Sequence, residues 1–318
     1  MTEEEEQKIE EQPVEEQIEE APADEAPVDE APVEEAPVEE EPVNTNEALI
    51  ASVDPKLLEA AEHLVVNAPP GEFDDCIHAL SGFVSDPKIA QAAKAAYLEK
   101  WMVANCLPVQ VGDKTAMLCE EASLGNGKYI EPNSMKTFRY NFEDRKAVEL
   151  NDDPIQSTSL REVIQSTIQK FSSTTLRNGC CGVYDSSEGV SIIMSGSSIS
   201  KENFRTGSLL MRFTYHEGHL KGSISLHAHF YENGNAMGSQ TSEYDEQVSG
   251  ADEGQIASNI LKKISTMYND WTTKMANGFE LLKSEGLNIL RRRLPKTQTK
   301  VNWRQEIIGA AAMPTGKR

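Results

Sequence analysis

Apolar and polar positions follow different periods in different parts of this chain, and the changes of period mark its elements. In the first ordered stretch the apolar residues recur every three or four positions. Phe73, Cys76, Ile77, Leu80 and Phe83 form one such run, and Ile89, Ala93, Tyr97 and Trp101 the next. That spacing puts each run on one face of a helix. Asp54-Pro55 and Asp86-Pro87 are each an N-cap followed by proline at the first helical position. Asn67-Ala68-Pro69-Pro70-Gly71 stops the helix begun at Pro55, which runs to about Val66, and turns the chain. Three helices with short links predict an antiparallel three-helix stalk over residues 47–106.

From Leu107 the pattern changes to short extended pieces: Pro108 to Val111, Ala116 to Cys119, Lys128 to Ile130 and Lys136 to Phe142. Turns at Gly125-Asn126-Gly127 and Pro132-Asn133 separate them. They predict a small β module over 107–150. A helix over Leu160 to Leu176 opens residues 151–250, and five strands follow: Cys180 to Tyr184, Val190 to Met194, Ser208 to Tyr215, Leu220 to Tyr231 and Ala236 to Tyr244. Tight links at Glu217-Gly218 and Asn233-Gly234 make these an antiparallel meander. On the fourth strand Ile224, Leu226, Ala228 and Phe230 face one way, and Ser225, His227, His229 and Tyr231 the other.

The longest period-3.6 run begins at Ile256. Ile260, Ile264, Met267, Trp271, Met275, Phe279 and Leu282 continue one stripe, with no proline between Asp252 and Pro295. A helix of roughly 35 residues would be about 50 Å long, and the apolar face of the sheet is the surface it should cover. The expected fold is therefore α+β: stalk, β module, meander, a long C-terminal helix over 251–289, and a short basic amphipathic extension over 290–318.

Charge changes the picture at both ends. The chain carries a net charge of −22. Its first 47 residues hold 20 acidic residues and one lysine, Lys8. Residues 21–40 are four five-residue units with proline in every one, which forbids a regular helix, while like charges resist collapse. Residues 1–46 are expected to be a disordered acidic extension. It could serve as a solvating tail or as a decoy for the basic end of the chain. From Asn288 onward eight basic residues stand against one acid, Glu306, which calls for an anionic partner. Five scattered cysteines, the lack of a signal peptide and the lack of a long apolar run lead to the expectation of a reduced, cytoplasmic protein with no membrane span.

Candidate chemistry is sparse. His227 and His229 lie two apart on one strand face without a third ligand, and adjacent Cys180 and Cys181 point to opposite faces. Asp74-Asp75 and Asp152-Asp153 are explained by capping and solvation. Phosphate-loop, dinucleotide and nucleophile-elbow motifs are missing. The reading is a binding protein with no enzymatic activity, no cofactor and no metal. Arg291-Arg292-Arg293 exceeds what a helix C-terminus needs. Beyond Pro295, Asn302 can cap a short helix with Trp303 and Ile307 on one face, a form suited to docking on a protein. Without interleaved aromatics the knot does not resemble a nucleic-acid site.

Four motifs together resemble the alpha subunits of heterodimeric F-actin capping protein. They are Asn67-Ala68-Pro69-Pro70-Gly71-Glu72-Phe73; Leu124-Gly125-Asn126 with Lys128-Tyr129-Ile130-Glu131-Pro132; Phe230-Tyr231-Glu232-Asn233-Gly234-Asn235; and the block from Leu290 to Trp303. The resemblance runs in order from about residue 50 to Trp303. It implies an obligate beta-subunit partner whose sheet continues this one, with the two long helices antiparallel across both. It also implies calcium-independent binding to filament barbed ends, which blocks gain and loss of subunits, and a place in the actin-rich cortex. Opposition by phosphoinositides through overlapping charge is implied too, and capping-protein regulators are further implied partners. An adaptor role, capping an actin-related minifilament in a motor complex, is compatible with the same residues. Carried over, Arg292 leads the actin-binding set, with Arg291, Arg293, Lys296 and Lys300 beside it and Trp303 and Ile307 as apolar anchors. Ile260, Ile264, Met267, Trp271, Met275 and Phe279 are the expected heterodimer interface. Asn288 and Gln298 are neutral where the family is often basic, and the residues after Trp303 diverge.

Overall fold

The computed structural model describes residues 45–151, 153–232 and 235–285, with side chains described as far as 277. Its chain begins with four helices: α1 (Thr45–Ala51), α2 (Pro55–Val65), α3 (Phe73–Phe83) and α4 (Pro87–Ala104). Asp54 and Asp86 cap α2 and α4 as expected, their carboxylates accepting from Lys56 N and Lys88 N at 2.9 Å. Trp101 anchors the bundle. Its ring packs 5.1 Å from that of Phe73, and its indole N–H donates to the Ala68 carbonyl at 2.9 Å. Two expectations are corrected. The additional helix α1 starts before residue 47, and Leu49 and Ile50 pack with Val53, Ile89 and Ala92. Seven residues are too few to display a period, so only its docking on α4 reveals it. Phe83, expected on the buried stripe, is 86% exposed because α3 ends there and Val84 is already extended.

The middle module is larger than expected. β1 (Leu107–Val111) and β2 (Lys114–Leu118) form a hairpin, and β3 (Ser123–Gly125), β4 (Lys128–Ile130), β5 (Thr137–Asn141) and β6 (Lys146–Asn151) form an antiparallel sheet in that order. β3 hides in what reads as a turn, and β6 has no buried residue to give it a face. Tyr129, Phe138, Tyr140 and Phe142 fill the module's core with tilted and edge-on rings. Glu131 ties its central turn: one carboxylate oxygen accepts from Asn133 N and Nδ2 at 2.9 and 2.8 Å, the other from Ser134 N at 2.7 Å and from Ser134 Oγ. Burial works to raise the Glu131 pKa, but the donors on Ser134 and Asn133 outweigh it and hold the carboxyl below its ordinary value. A pKa lowered on folding contributes stability above the unfolded value, which is lost as pH falls through the folded one. Glu131→Gln is therefore expected to cost roughly 1–3 kcal/mol at pH 7, with the gap to wild type closing below about pH 4. Urea midpoints at pH 7 and pH 3 check this, and a gap that is constant with pH would contradict it.

Helix α5 (Ser159–Thr175) leads into the large sheet of β7 (Cys180–Ser186), β8 (Gly189–Ser200), β9 (Arg205–His216), β10 (His219–Phe230) and β11 (Ala236–Gln247). The order β11-β10-β9-β8-β7, all antiparallel, is the expected meander. The strands are longer than their apolar runs. The serine-rich stretch from Ser195 to Ser200, in which Ile199 is the one large apolar residue, stays paired with β9 from Leu210 to Arg205. One face, carrying Ile192, Met194, Leu209, Met211, Ile224 and Leu226, packs against α5 and α6 (Glu253–Glu285). The other face is buried where Cys180, Tyr184 and Ile193 join the core of the stalk and middle module. Cys180 and Cys181 do lie on opposite faces.

Candidate functional site

Helix α6 is the element that carries the chain toward the basic residues, and local chemistry sets its start. Asp252 Oδ1 accepts from Gln255 N at 2.7 Å, while Gln255 Oε1 accepts from Ala251 N at 3.0 Å, a reciprocal cap. Asn259 Nδ2 donates to the Ser249 carbonyl at 2.7 Å, and Lys263 pairs with Glu246 of β11 at 2.8 Å. The apolar stripe then descends on the sheet, and Tyr268 meets Phe171 of α5 edge-on at 6.1 Å.

The structure brings five of the six expected interface residues onto that stripe. Ile260, Ile264, Met267 and Trp271 are buried within this chain, and Met275 is half-buried. Their own sheet and α5 already cover them, which leaves them little area to offer a second chain. Phe279 lies on α6 where side chains are not described. Arg291, Arg292, Arg293, Lys296, Lys300, Trp303 and Ile307 lie outside the described residues, as do Asn233-Gly234.

Surfaces that the sequence did not single out stand beside α6. Among the described residues β11 pairs on one side only, with β10 from His219↔Gln247 to Phe230↔Ala236. None of its 12 residues is buried. A long strand with one unpaired edge is a template for another strand. On the stalk, Leu57 and Leu64, seven apart on α2, and Phe83 on α3 are exposed. Spacing gives no warning of this: Leu57 and Leu64 stand four before and three after buried Ala61, so the helical period alone would put them on its stripe, and only the structure shows them exposed.

The stalk is joined to the sheet by a buried polar contact. Glu72, just before α3, does not cap its helix. Its carboxylate instead accepts from Thr206 Oγ1 at 2.6 Å and meets His229 Nδ1 at 2.8 Å. His229 stacks on Tyr231 at 5.0 Å. The polar face of β10 is thus partly interior, and only His227 of the histidine pair is exposed. Asp74 and Asp75, read as capping residues, pair with Arg145 and Lys201, each at 2.8 Å. Among the described residues no cluster of three or more His, Cys, Asp or Glu could hold a metal ion. Burial pushes the Cys180 and Cys181 thiols up to about 12, and Cys106 up to about 11 although Arg212 opposes it. These are protonated core thiols, not nucleophiles. No helix among the described residues is long and apolar enough to cross a membrane.

Comparison with known proteins places this arrangement. A family model for the F-actin capping protein alpha subunit matches residues 61–313. The F-actin-capping protein subunit alpha of Yarrowia lipolytica is 24% identical over 252 residues, covering 78% of this chain and 92% of that protein. The subunit of the same name from Saccharomyces cerevisiae is 26% identical over 262 residues, covering 78% and 92%. That of Dictyostelium discoideum is 23% identical over 267 residues, covering 79% and 94%. Among solved structures, the homodimeric actin capping protein alpha subunit from Plasmodium berghei has the same fold, with a TM-score of 0.58 and 20% identity, over 74% of this chain and 95% of that one.

Proposed function

We propose, from the premise that the chain belongs to the F-actin capping protein alpha subunit family, that it is the alpha half of a heterodimer that binds actin filament barbed ends and blocks subunit addition and loss. The observation that carries this reading is the coincidence of a 12-residue edge strand, unpaired on one side among the described residues, with a long helix followed in sequence by a basic segment. The edge of β11 would take a strand of the beta subunit, so that two meanders become one sheet. Exposed Leu57, Leu64 and Phe83 would be covered by the partner's stalk, and the end of the α6 stripe, at Met275 and Phe279, would meet the partner's helix. The shared sheet then acts as a rigid platform. It holds Arg291, Arg292, Arg293, Lys296 and Lys300 where the acidic surface of the terminal actin protomers is met, with Trp303 and Ile307 as anchors behind them. Binding alone blocks elongation, so the mechanism needs neither catalysis nor calcium, and the site of action is the cytoplasmic actin cortex.

The test is co-expression with a capping protein beta subunit, followed by a seeded actin elongation assay. A soluble one-to-one complex that stops barbed-end growth at nanomolar concentration is expected. Failure of the two chains to co-purify would refute the heterodimer. Recovery of an actin-related protein, with no actin, in pull-downs would favour the minifilament adaptor instead.

The charges at the two ends make a further prediction. An anionic filament surface attracts the basic end and repels the acidic one. Deleting residues 1–44 is expected to tighten capping several-fold at about 20 mM salt, with the difference fading near 0.15 M, where the screening length is about 8 Å. Equal affinities at low salt would reduce the tail to a solvating role.

A further inference from the structure

Arg161, in the first turn of α5, is a buried cation without a counter-charge. It is 1% exposed. Its Nε donates to the Val183 carbonyl at 2.8 Å, and its Nη2 donates to the Pro132 carbonyl. A guanidinium has five N–H groups, and those left over have no acceptor among the described residues. The three carboxylates nearest in charge, Asp185 of β7, Glu162 beside it on α5 and Glu131 of the turn after β4, act only at longer range. Each is committed elsewhere: Asp185 to Thr158, Glu162 to Ser157, and Glu131 to Asn133 and Ser134. Arg212 shows the ordinary arrangement, with Glu121 at 3.0 Å. Buried charges are normally paired, since desolvating a lone one is costly. Burial accordingly pulls the Arg161 pKa down.

Arg161 also lines a cleft of about 550 Å³ between α5, the turn joining β4 to β5, and the loop after β6. Gln165 fixes the floor: its Oε1 accepts from Val183 N at 2.9 Å, and its Nε2 donates to Asn133 Oδ1 at 3.1 Å. Gln156 and Gln169 stand exposed on the walls. Such a volume suits a ligand the size of a few residues, and carboxamide walls match peptide groups. One cation with Glu162 close by suits a single negative charge better than a phosphate dianion. A carboxylate fits the guanidinium fork.

We propose that this cleft binds an acidic peptide segment of a partner protein, with Arg161 receiving one carboxylate and Gln156 and Gln169 the adjoining peptide groups. The site lies on described residues apart from the basic extension, and it does not depend on the capping reading. The test uses the full chain and three probes: blocked hexaglutamate, blocked hexaglutamine and inorganic phosphate, with hydrogen–deuterium exchange as the readout. Hexaglutamate is expected to slow exchange over 132–135 and 154–169, and hexaglutamine to leave it unchanged. Gln156→Glu with Gln169→Glu, both on the exposed walls, should weaken hexaglutamate binding about threefold or more through like charge, and Glu162→Gln should tighten it. Protection confined to residues 286–318, or equal affinity for the wall variant and wild type, would overturn the site. Equal protection of the same peptides by phosphate would overturn the peptide as ligand.

Discussion

Charge reversal of two adjacent arginines, Arg292→Glu with Arg293→Glu, is expected to weaken barbed-end capping by roughly 100-fold or more. The physical reason is electrostatic and local. Between them the two substitutions change the charge by four units in a segment whose net excess is seven positive charges. Like charge brought against an acidic protein surface costs several kcal/mol. The fold should not notice, because these positions lie beyond Leu282, the last residue of the apolar stripe in the sequence. The variant heterodimer should therefore elute and melt as wild type. A control, Lys317→Glu with Arg318→Glu in the diverged last residues, should change capping little. The assay is elongation from actin seeds over a titration of heterodimer. If the doubly reversed variant stops growth at the wild-type concentration, the basic segment is not what the filament meets. The neutral residues Asn288 and Gln298 sharpen the test: with fewer cations in reserve, each remaining arginine should count for more.

The second large effect is on stability and falls on Glu72. Replacing it with alanine leaves Thr206 Oγ1 and His229 Nδ1, both enclosed between stalk and sheet, without their shared acceptor. An unsatisfied buried polar group costs about 1–3 kcal/mol, so Glu72→Ala is expected to lose roughly 2–5 kcal/mol, and Glu72→Gln less because an acceptor oxygen remains. Urea unfolding of the purified heterodimer measures this. The exposed pairs Asp74–Arg145 and Asp75–Lys201 bridge the same region, yet their removal should cost under about 1 kcal/mol each, since water and salt screen them. A loss below 0.5 kcal/mol for Glu72→Ala would mean that the stalk is held to the sheet by apolar packing alone. Gly71 marks how close that packing is. At φ +82° it lies against Ile199 of β8, where a Cβ would come within 2.6 Å of the side chain.

Much of this molecule was legible from one dimension. Periods of two and 3.6, Asp-Pro caps and Gly-containing turns are local signals, and they located α2 to α6, the five-strand meander and its antiparallel order. They worked because each depends on residues within a turn or two of one another. The same locality explains the misses. α1 is too short to show a period, and β6 has no apolar face. Glu72 stands 134 residues from Thr206 and 157 from His229, so nothing nearby distinguishes it from a capping residue.

What the sequence determined by itself is the set of elements, the family they belong to and the charge at each end, because composition and spacing survive without a fold. What only the tertiary structure decided is which side of each element remains available. Ile260, Ile264, Met267 and Trp271 are consumed by the chain's own sheet, while among the described residues nothing pairs with the outer edge of β11 and Leu57, Leu64 and Phe83 stay exposed. Arg161 reads in sequence as one more helix cation. Only the assembled neighbours show that it is buried, that every nearby carboxylate is already engaged, and that a cleft leads to it. Burial is a property of what lies opposite, and the residues that lie opposite are brought there by the fold.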